Sequence, residues 1–400
     1  MSYQNLVNSI IATDLCASCG ACALVCPKDL IGFDKESVTP VLEKSDASCG
    51  ECNDCVDVCP GVNTDVVSQE LRLFGRSRDV SERWLGIFQH VYGGKATEPE
   101  VFKKSASGGS VTTLLGVAME YLDAKYALVM GRDSDSPVYS SPVLVTDRKA
   151  LVNHSQSTYQ LAPFLSKLRE VYEQDPTANI VMSGIACHVQ AIRKLQGMST
   201  EVGRWARERI VFIVEIGCSS NTLPMGTQSL INEIMEVKVD DVVEVKYREG
   251  DYPGQISVKT SKGDEHVTPF WKAVRHFKEN KSFRCLSCGD WLSGLADVSV
   301  SDGDPNIFSG SLGIDQIEKH GRVFVRTQTA KEVIRYADMM NDLEIWPIDL
   351  VGLNLGLERK RNRRAHYETI DKLIPDGPIP DFQEVLEIIP DSDFLEVPTQ

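Results

Sequence analysis

A chain of 400 residues with 42% hydrophobic, 7% aromatic and 25% charged content carries enough apolar material for two or three packed domains, which excludes a disordered or collagen-like chain. Its formal net charge of -15 would repel the phosphates of nucleic acid and of anionic lipid, so no nucleic-acid partner is expected. Apolar stretches such as Ile210 to Ile216 fall far short of the roughly 18–20 residues of a membrane span, and no basic-then-apolar leader opens the chain. The expectation is a soluble, cytoplasmic protein without direct membrane insertion.

The 12 cysteines are the outlying number. Cys16, Cys19, Cys22 and Cys26, then Pro27, spell C-x2-C-x2-C-x3-C-P, and Cys49, Cys52, Cys55 and Cys59, then Pro60, repeat it. This is the pattern of a bacterial ferredoxin with two 4Fe-4S clusters, in which the fourth cysteine of each run ligates the other run's cluster. One cluster is therefore assigned to Cys16, Cys19, Cys22 and Cys59, the other to Cys49, Cys52, Cys55 and Cys26. The prolines are read as stopping a helix that would otherwise begin at the fourth cysteine, and Gly20 and Gly50 as tight turns whose N–H groups can point at cluster sulfurs or as ordinary turn glycines. Structural zinc also uses C-x2-C pairs, but one zinc ion needs four ligands rather than a repeated run of eight.

Residues 1–70 are thus expected to be a dicluster ferredoxin-like domain and residues 71–100 a connector with one helix. A mixed α/β body is expected over 101–370. Val111, Leu114, Leu115, Ala118 and Leu122 have helical spacing, and further helices are expected at 162–174, 188–196, 224–236 and 329–342. Strands are expected at Tyr126 to Gly131, Pro142 to Thr146, Asn179 to Ser183, Ile210 to Ile216, Val242 to Tyr247, Gln255 to Thr260, Ala296 to Ser301 and Val323 to Thr327. Their alternation argues an α+β or α/β fold.

Within the body, Ser105 to Thr113 runs small and hydroxylic residues into the first helix, an end suited to a diphosphate or to a plain Ser/Gly cap. No G-x-G-x-x-G or phosphate-loop motif is present, so a nicotinamide site is not indicated. Four cysteines remain: Cys187 and Cys218 at strand ends, and the pair Cys285 and Cys288. Four is the number for a third 4Fe-4S cluster; structural zinc and buried thiols are the alternatives. His154, His188 and His276 form no hydrolytic pattern. The basic run Arg359, Lys360, Arg361, Arg363 and Arg364 with His366 reads as a solvated helix face or as a docking patch for an anionic group. Residues 371–400 read as an acidic, proline-rich tail.

Together, the tandem cysteine runs, Ser107-Gly108-Gly109-x-Val111-Thr112, Gly184-x-x-Cys187-x-x-Gln190, Gly217-Cys218, and Cys285-x-x-Cys288 before Leu295-Ala296-Asp297-Val298-Ser299-Val300 resemble the family of coenzyme F420 hydrogenase/dehydrogenase beta subunits. The branch resembled is the one with an N-terminal two-cluster ferredoxin. The resemblance implies FAD in the body, with Ser107, Gly108, Gly109, Ser110, Thr112, Ser157, Tyr159 and Gly184 as its binding residues. It also implies a body cluster on Cys187, Cys218, Cys285 and Cys288, coenzyme F420 (a deazaflavin) as co-substrate, and a redox partner protein. A deazaflavin gives hydride and clusters take single electrons, so a flavin between them divides the pair. Where relatives show Gly-Ser/Thr-Lys-Tyr, this chain has Gln156-Ser157-Thr158-Tyr159, with Thr158 in place of the lysine. A ferredoxin-linked reductase of an organic substrate and a non-catalytic electron-transfer protein are the other readings.

Overall fold

The computed structural model describes residues 2–43, 49–50, 52–61, 63–82, 85–303, 318–348 and 350. The basic run and the proline-rich tail lie outside the described residues.

The cysteine runs form short, tightly wound elements. The helix Ser2–Leu6 and a π-helical turn Val7–Ile11 precede the helix Ala21–Val25, and strands β1 (Ile31–Phe33) and β2 (Pro40–Leu42) pair antiparallel with Ile31 opposite Leu42. Helix Ala21–Val25 ends at Cys26 rather than beginning there, because Cys26 is already extended (ψ 111°) and Pro27 follows. The second run behaves alike: helix Asp54–Asp57 ends before Cys59 and Pro60.

Eight strands form the large sheet. They are β3 (His90–Ala96), β4 (Ala124–Arg132), β5 (Ser140–Val145), β6 (Asn179–Gly184), β7 (Ile210–Ile216), β11 (Val298–Asp302), β12 (Gly321–Val325) and β13 (Leu343–Pro347), ordered β13-β3-β12-β11-β7-β6-β4-β5. The central β11, β7, β6 and β4 are parallel; β5, β12, β3 and β13 join antiparallel. Residues 71–100, expected as a connector, therefore include a strand paired on both sides. Three further strands, β8 (Val242–Glu249), β9 (Gln255–Thr260) and β10 (Glu265–Pro269), make an antiparallel sheet packed on the helix Phe270–His276.

Period-two alternation divides the core. Leu128, Ile180, Met182 and Ile213 face one side, with the helices Ala186–Gly197 and Glu201–Arg209. Ala127, Val129, Val181, Phe212 and Val214 face the other, against the helices Ser110–Tyr121 and Gln328–Met339. The first layer also contains Leu6, Ile10, Leu15, Leu24 and Val58, so the ferredoxin segment shares one continuous apolar core with the body.

Polar contacts then fix the docking. Gly20 has φ +87°, and a Cβ there would lie 2.7 Å from Pro163 O and Ser166 N; the Leu165 N–H donates to Cys19 O at 2.8 Å. Arg169 donates to Leu24 O (3.1 Å) and Cys26 O (2.5 Å), and Lys194 to Cys59 O (2.8 Å). Deeper, Arg78 Nε pairs with Glu70 Oε1 at 2.5 Å with both side chains almost fully buried, and its Nη2 donates to Ser293 O at 2.8 Å.

Arg78→Met should cost about 3–5 kcal/mol, because it leaves the Glu70 carboxylate buried without its cation. Arg76→Met, which removes the half-exposed guanidinium that pairs with Glu82 and donates to Ser77 O, should cost under about 1 kcal/mol. Thermal unfolding of the two variants under argon checks the contrast.

Candidate redox site

Cys19, Cys22, Cys26, Cys55 and Cys59 are buried, while Cys52 is exposed. Cys59 lies within electrostatic reach of Cys16, Cys19 and Cys22, and Cys55 within reach of Cys22. Burial, then the charge of Cys59, pushes the Cys16 thiol up to about 12, and burial raises Cys19 and Cys22 as well. Backbone N–H groups of Ser18, Leu30 and Gly61 donate to the sulfurs of Cys16 (3.4 Å), Cys26 (3.5 Å) and Cys59 (3.4 Å). Ser18, the donor to Cys16, has a left-handed φ of 52°. Gly20 has the positive φ expected of a turn glycine; Gly50 does not.

The other four thiols arrive from separate elements. Cys187 stands at the start of the helix Ala186–Gly197, directly after β6, and Cys218 two residues beyond β7. Cys285 lies in the helix Phe283–Ser287, whose Ser282 cap accepts the Cys285 N–H at 3.3 Å; Cys288 closes that helix and its sulfur accepts the Asp290 N–H at 3.3 Å. The Cys218 N–H donates to Trp291 O at 3.0 Å, tying the strand end to the loop after Cys288. The Cys187 thiol is raised well above its ordinary range by burial, then by the charges of Cys19, Cys218, Cys285 and Cys288. The fold thus gathers all four, with a ferredoxin cysteine beside them. Among the described residues no three His, Cys, Asp or Glu side chains form a single-ion site. Behind Cys288, Gln190 Nε2 donates to Asp290 Oδ2 at 2.8 Å.

At the same edge, where the parallel strands end, lies a cavity of about 190 Å³. Ser107, Gly109, Ser110, Thr112, Ser157, Tyr159, Gly184 and Cys218 all line it. Gly108, though not part of the lining, makes the turn possible: it has φ +85°, and a Cβ there would lie 2.8 Å from His320 Cα. Gly109 follows at φ +83°, and the Ser110 hydroxyl anchors the helix start by donating to Gly94 O at 2.8 Å. Met130, His154, Ser155, Gln156 and Thr158 are shared with an adjoining open cleft of about 1340 Å³.

Several cavity residues carry no motif. Arg248 is 2% exposed and pairs through Nη1 with both Asp302 oxygens at 2.9 Å, while its buried Nη2 has no partner. Burial works against its charge, but Asp302, then Tyr159 and Tyr252, offset this, and its pKa stands above the ordinary value. A register break between Lys246 and Glu249 interrupts the alternation of β8 and turns Arg248 inward; strand periodicity alone could not have found it. His188, stacked on Phe164 (centroids 4.7 Å apart), is pushed down to about 3 by burial, and its Nδ1 has no partner. Its imidazole is neutral at ordinary pH. Tyr159 packs on Phe270 (4.8 Å) and Tyr247 (5.6 Å), and burial raises its phenol. Thr158 lines the cleft together with Lys319, whose ammonium donates to Ser105 O at 3.1 Å. A lysine therefore does reach this wall, from a different segment. His276 lies elsewhere, on Ser229 (2.9 Å).

The chain is similar to known proteins over most of its length. Residues 91–169 match the N-terminal part, and residues 177–350 the C-terminal part, of the family described as "Coenzyme F420 hydrogenase/dehydrogenase, beta subunit", and residues 15–63 match "4Fe-4S dicluster domain". A protein of Methanosarcina mazei named as one of the subunits of F(420)H(2) dehydrogenase is 24% identical over 383 residues, covering 92% of this chain and 95% of its own. The beta subunit of the coenzyme F420 hydrogenase of Methanosarcina barkeri is 25% identical over 282 residues, covering 70% and 89%. A chain of the F420-reducing NiFe hydrogenase complex of Methanosarcina barkeri shares the fold at a TM-score of 0.57 and 23% identity, over 72% of this chain and 92% of that one. No helix among the described residues is long and apolar enough to cross a membrane. With both halves of the body matched and the cysteine runs recognised, the chain belongs to the family of coenzyme F420 hydrogenase/dehydrogenase beta subunits and carries a 4Fe-4S dicluster electron-transfer domain at its N-terminal end.

Proposed function

We propose that this protein is an iron-sulfur flavoprotein that exchanges hydride with a deazaflavin coenzyme and passes single electrons through three 4Fe-4S clusters to or from a partner protein. The observation that carries the reading is continuity: Cys218 lines the cavity, Cys218 and Cys19 both neighbour Cys187, and Cys19 belongs to the buried ferredoxin group. The same chain of neighbours links a ligand-sized space to the ferredoxin segment.

The residues suit these groups. Three all-cysteine sets, each with an N–H group aimed at a sulfur, match the soft-ligand preference of iron-sulfur clusters. Thiols pushed so high would stay protonated alone; bound iron would hold them as thiolates. For FAD, the left-handed pair Gly108 and Gly109 lets backbone come close at the positive end of the helix Ser110–Tyr121, which suits a diphosphate. The unpartnered Arg248 Nη2 and His188 Nδ1 offer polar contacts to a ring system. The cavity takes the reactive part of such a ligand and the adjoining cleft the remainder. Bound there, a flavin supplies the step between two-electron hydride and one-electron carriers. Relatives named as subunits of a hydrogenase and a dehydrogenase support a partner complex for this chain.

A second reading, a ferredoxin-linked reductase of an organic substrate, is favoured by Thr158 standing where the resembled family has lysine. Anaerobic addition of electron donors separates the two. Reduced deazaflavin should bleach the flavin and cluster absorbance while NADH does not; bleaching by reduced ferredoxin alone would select the second reading.

Two substitutions test the cofactor assignments. Cys187→Ser should lower bound iron from about twelve to about eight atoms per chain, and an unchanged count would refute the body cluster. Gly109→Val, which would place a side chain against Val101 and Ala96 at an unfavourable φ, should lose extractable flavin while keeping all the iron. Retained flavin would exclude this loop as its seat.

A further inference from the structure

We infer that Arg284 is a counter-cation shared by the body cluster and the nearer ferredoxin cluster, holding both at higher potential than either would have alone. The inference rests on the three-cluster reading above and assigns a residue that no cysteine motif includes. Arg284 sits between Phe283 and Cys285 and is 5% exposed. Its backbone N–H donates to Asp14 O at 3.1 Å, pinning this helix two residues before Cys16. Its carbonyl accepts the Ser287 hydroxyl at 3.2 Å, which fixes the turn leading to Cys288.

That place sets Arg284 next to Cys285 and joins its helix to the segment that leads into Cys16, so its buried charge interacts with Cys288 and Cys187 of the body and with Cys59 and Cys16 of the ferredoxin segment. Asp290 is a carboxylate whose charge acts on it; its Oδ2 accepts from Gln190 and its buried Oδ1 has no partner among the described residues. Burying an arginine with so little carboxylate is unfavourable unless other negative charge is nearby. Clusters bound by four thiolates are net negative and gain one more charge on reduction. A fixed cation between two of them, in a medium that screens weakly, favours the reduced state of each. Lysine could carry the charge; a neutral side chain could not. The other body cations at this junction, Arg169 and Lys194, instead grip the carbonyls of Cys26 and Cys59. The Arg284 helix is joined to the segment before Cys16, and the strongest thiol interactions of Arg284 are with Cys288, Cys187 and Cys59, so the group of Cys26, Cys49, Cys52 and Cys55 is expected to feel its charge least.

The test is an anaerobic redox titration of the whole protein followed by electron paramagnetic resonance, with iron counted in each preparation. In Arg284→Gln, two of the three cluster potentials should move to lower values and the third should stay, with iron unchanged. Arg284→Lys should titrate close to the parent protein. The Cys187→Ser background, lacking the body cluster, identifies its step and should still show one lowered potential when Arg284→Gln is added. Full iron with unmoved potentials in Arg284→Gln would overturn the proposal, as would an equal shift in Arg284→Lys. If Arg284→Gln loses iron, Arg284→Lys decides: retained iron and parental potentials support a need for charge, and loss there overturns it. A parent protein with about eight rather than twelve irons would instead refute the three-cluster reading itself.

Discussion

The close approach of Gly20 to the backbone of Pro163 to Ser166 is the contact on which the rest depends. No side chain fits there, and the glycine takes a φ that other residues resist. Because of it, Cys19 sits against the body, its carbonyl accepts from Leu165, and its sulfur becomes a neighbour of Cys187. A ferredoxin segment on a loose tether would share no core with the body. Here Leu24 and Val58 pack in one cluster with Ile180, Val189 and Ile213, so the two groups of thiols keep a fixed relation.

The body side of that relation is held by buried charge. Ser293, five residues beyond Cys288, has its N–H bound by Glu215 Oε1 at 2.5 Å and its carbonyl by Arg78 Nη2 at 2.8 Å. Glu215 also accepts from the Ser299 hydroxyl (2.7 Å), which in turn accepts from Arg326 Nε (2.7 Å). Gly86 and Gly294 pass so close that a Cβ on either would meet the other's Cα within 3 Å. The helix Val66–Phe74 thus connects to the loop that follows the paired cysteines. Networks of this kind specify one geometry more than they stabilise it, which suits a loop whose task is to present two sulfurs.

How much of this could be read from the sequence varied with the kind of signal. The cysteine runs were legible because ligand spacing is local, and the parallel strands because Val181 to Met182 and Phe212 to Val214 are dense apolar runs. Strand β3 was missed since Gly93 and Gly94 erase its apolar pattern; Gly93 is glycine because the Trp346 indole occupies the place of its Cβ, a contact made only in the fold. Strand β13, half exposed at the sheet edge and ending at Pro347, lacks alternation. The Ser-Gly segment was legible as a helix start. Arg248, His188 and Lys319 were not, because a β-bulge and a stacked Phe164 bring the first two to the cavity wall, and a loop from the far end of the chain brings Lys319 to the adjoining cleft. Arg284 was visible beside Cys285, but its reach toward Cys59 exists only after docking.

Iron-edge anomalous diffraction from anaerobically grown crystals tests the central claim most directly. The account predicts three four-iron peaks in a row: one bounded by Cys187, Cys218, Cys285 and Cys288, a middle one by Cys16, Cys19, Cys22 and Cys59, and an outer one by Cys26, Cys49, Cys52 and Cys55. A zinc-edge peak at the body thiols, or Cys59 found on the same cluster as Cys49, Cys52 and Cys55, would contradict it.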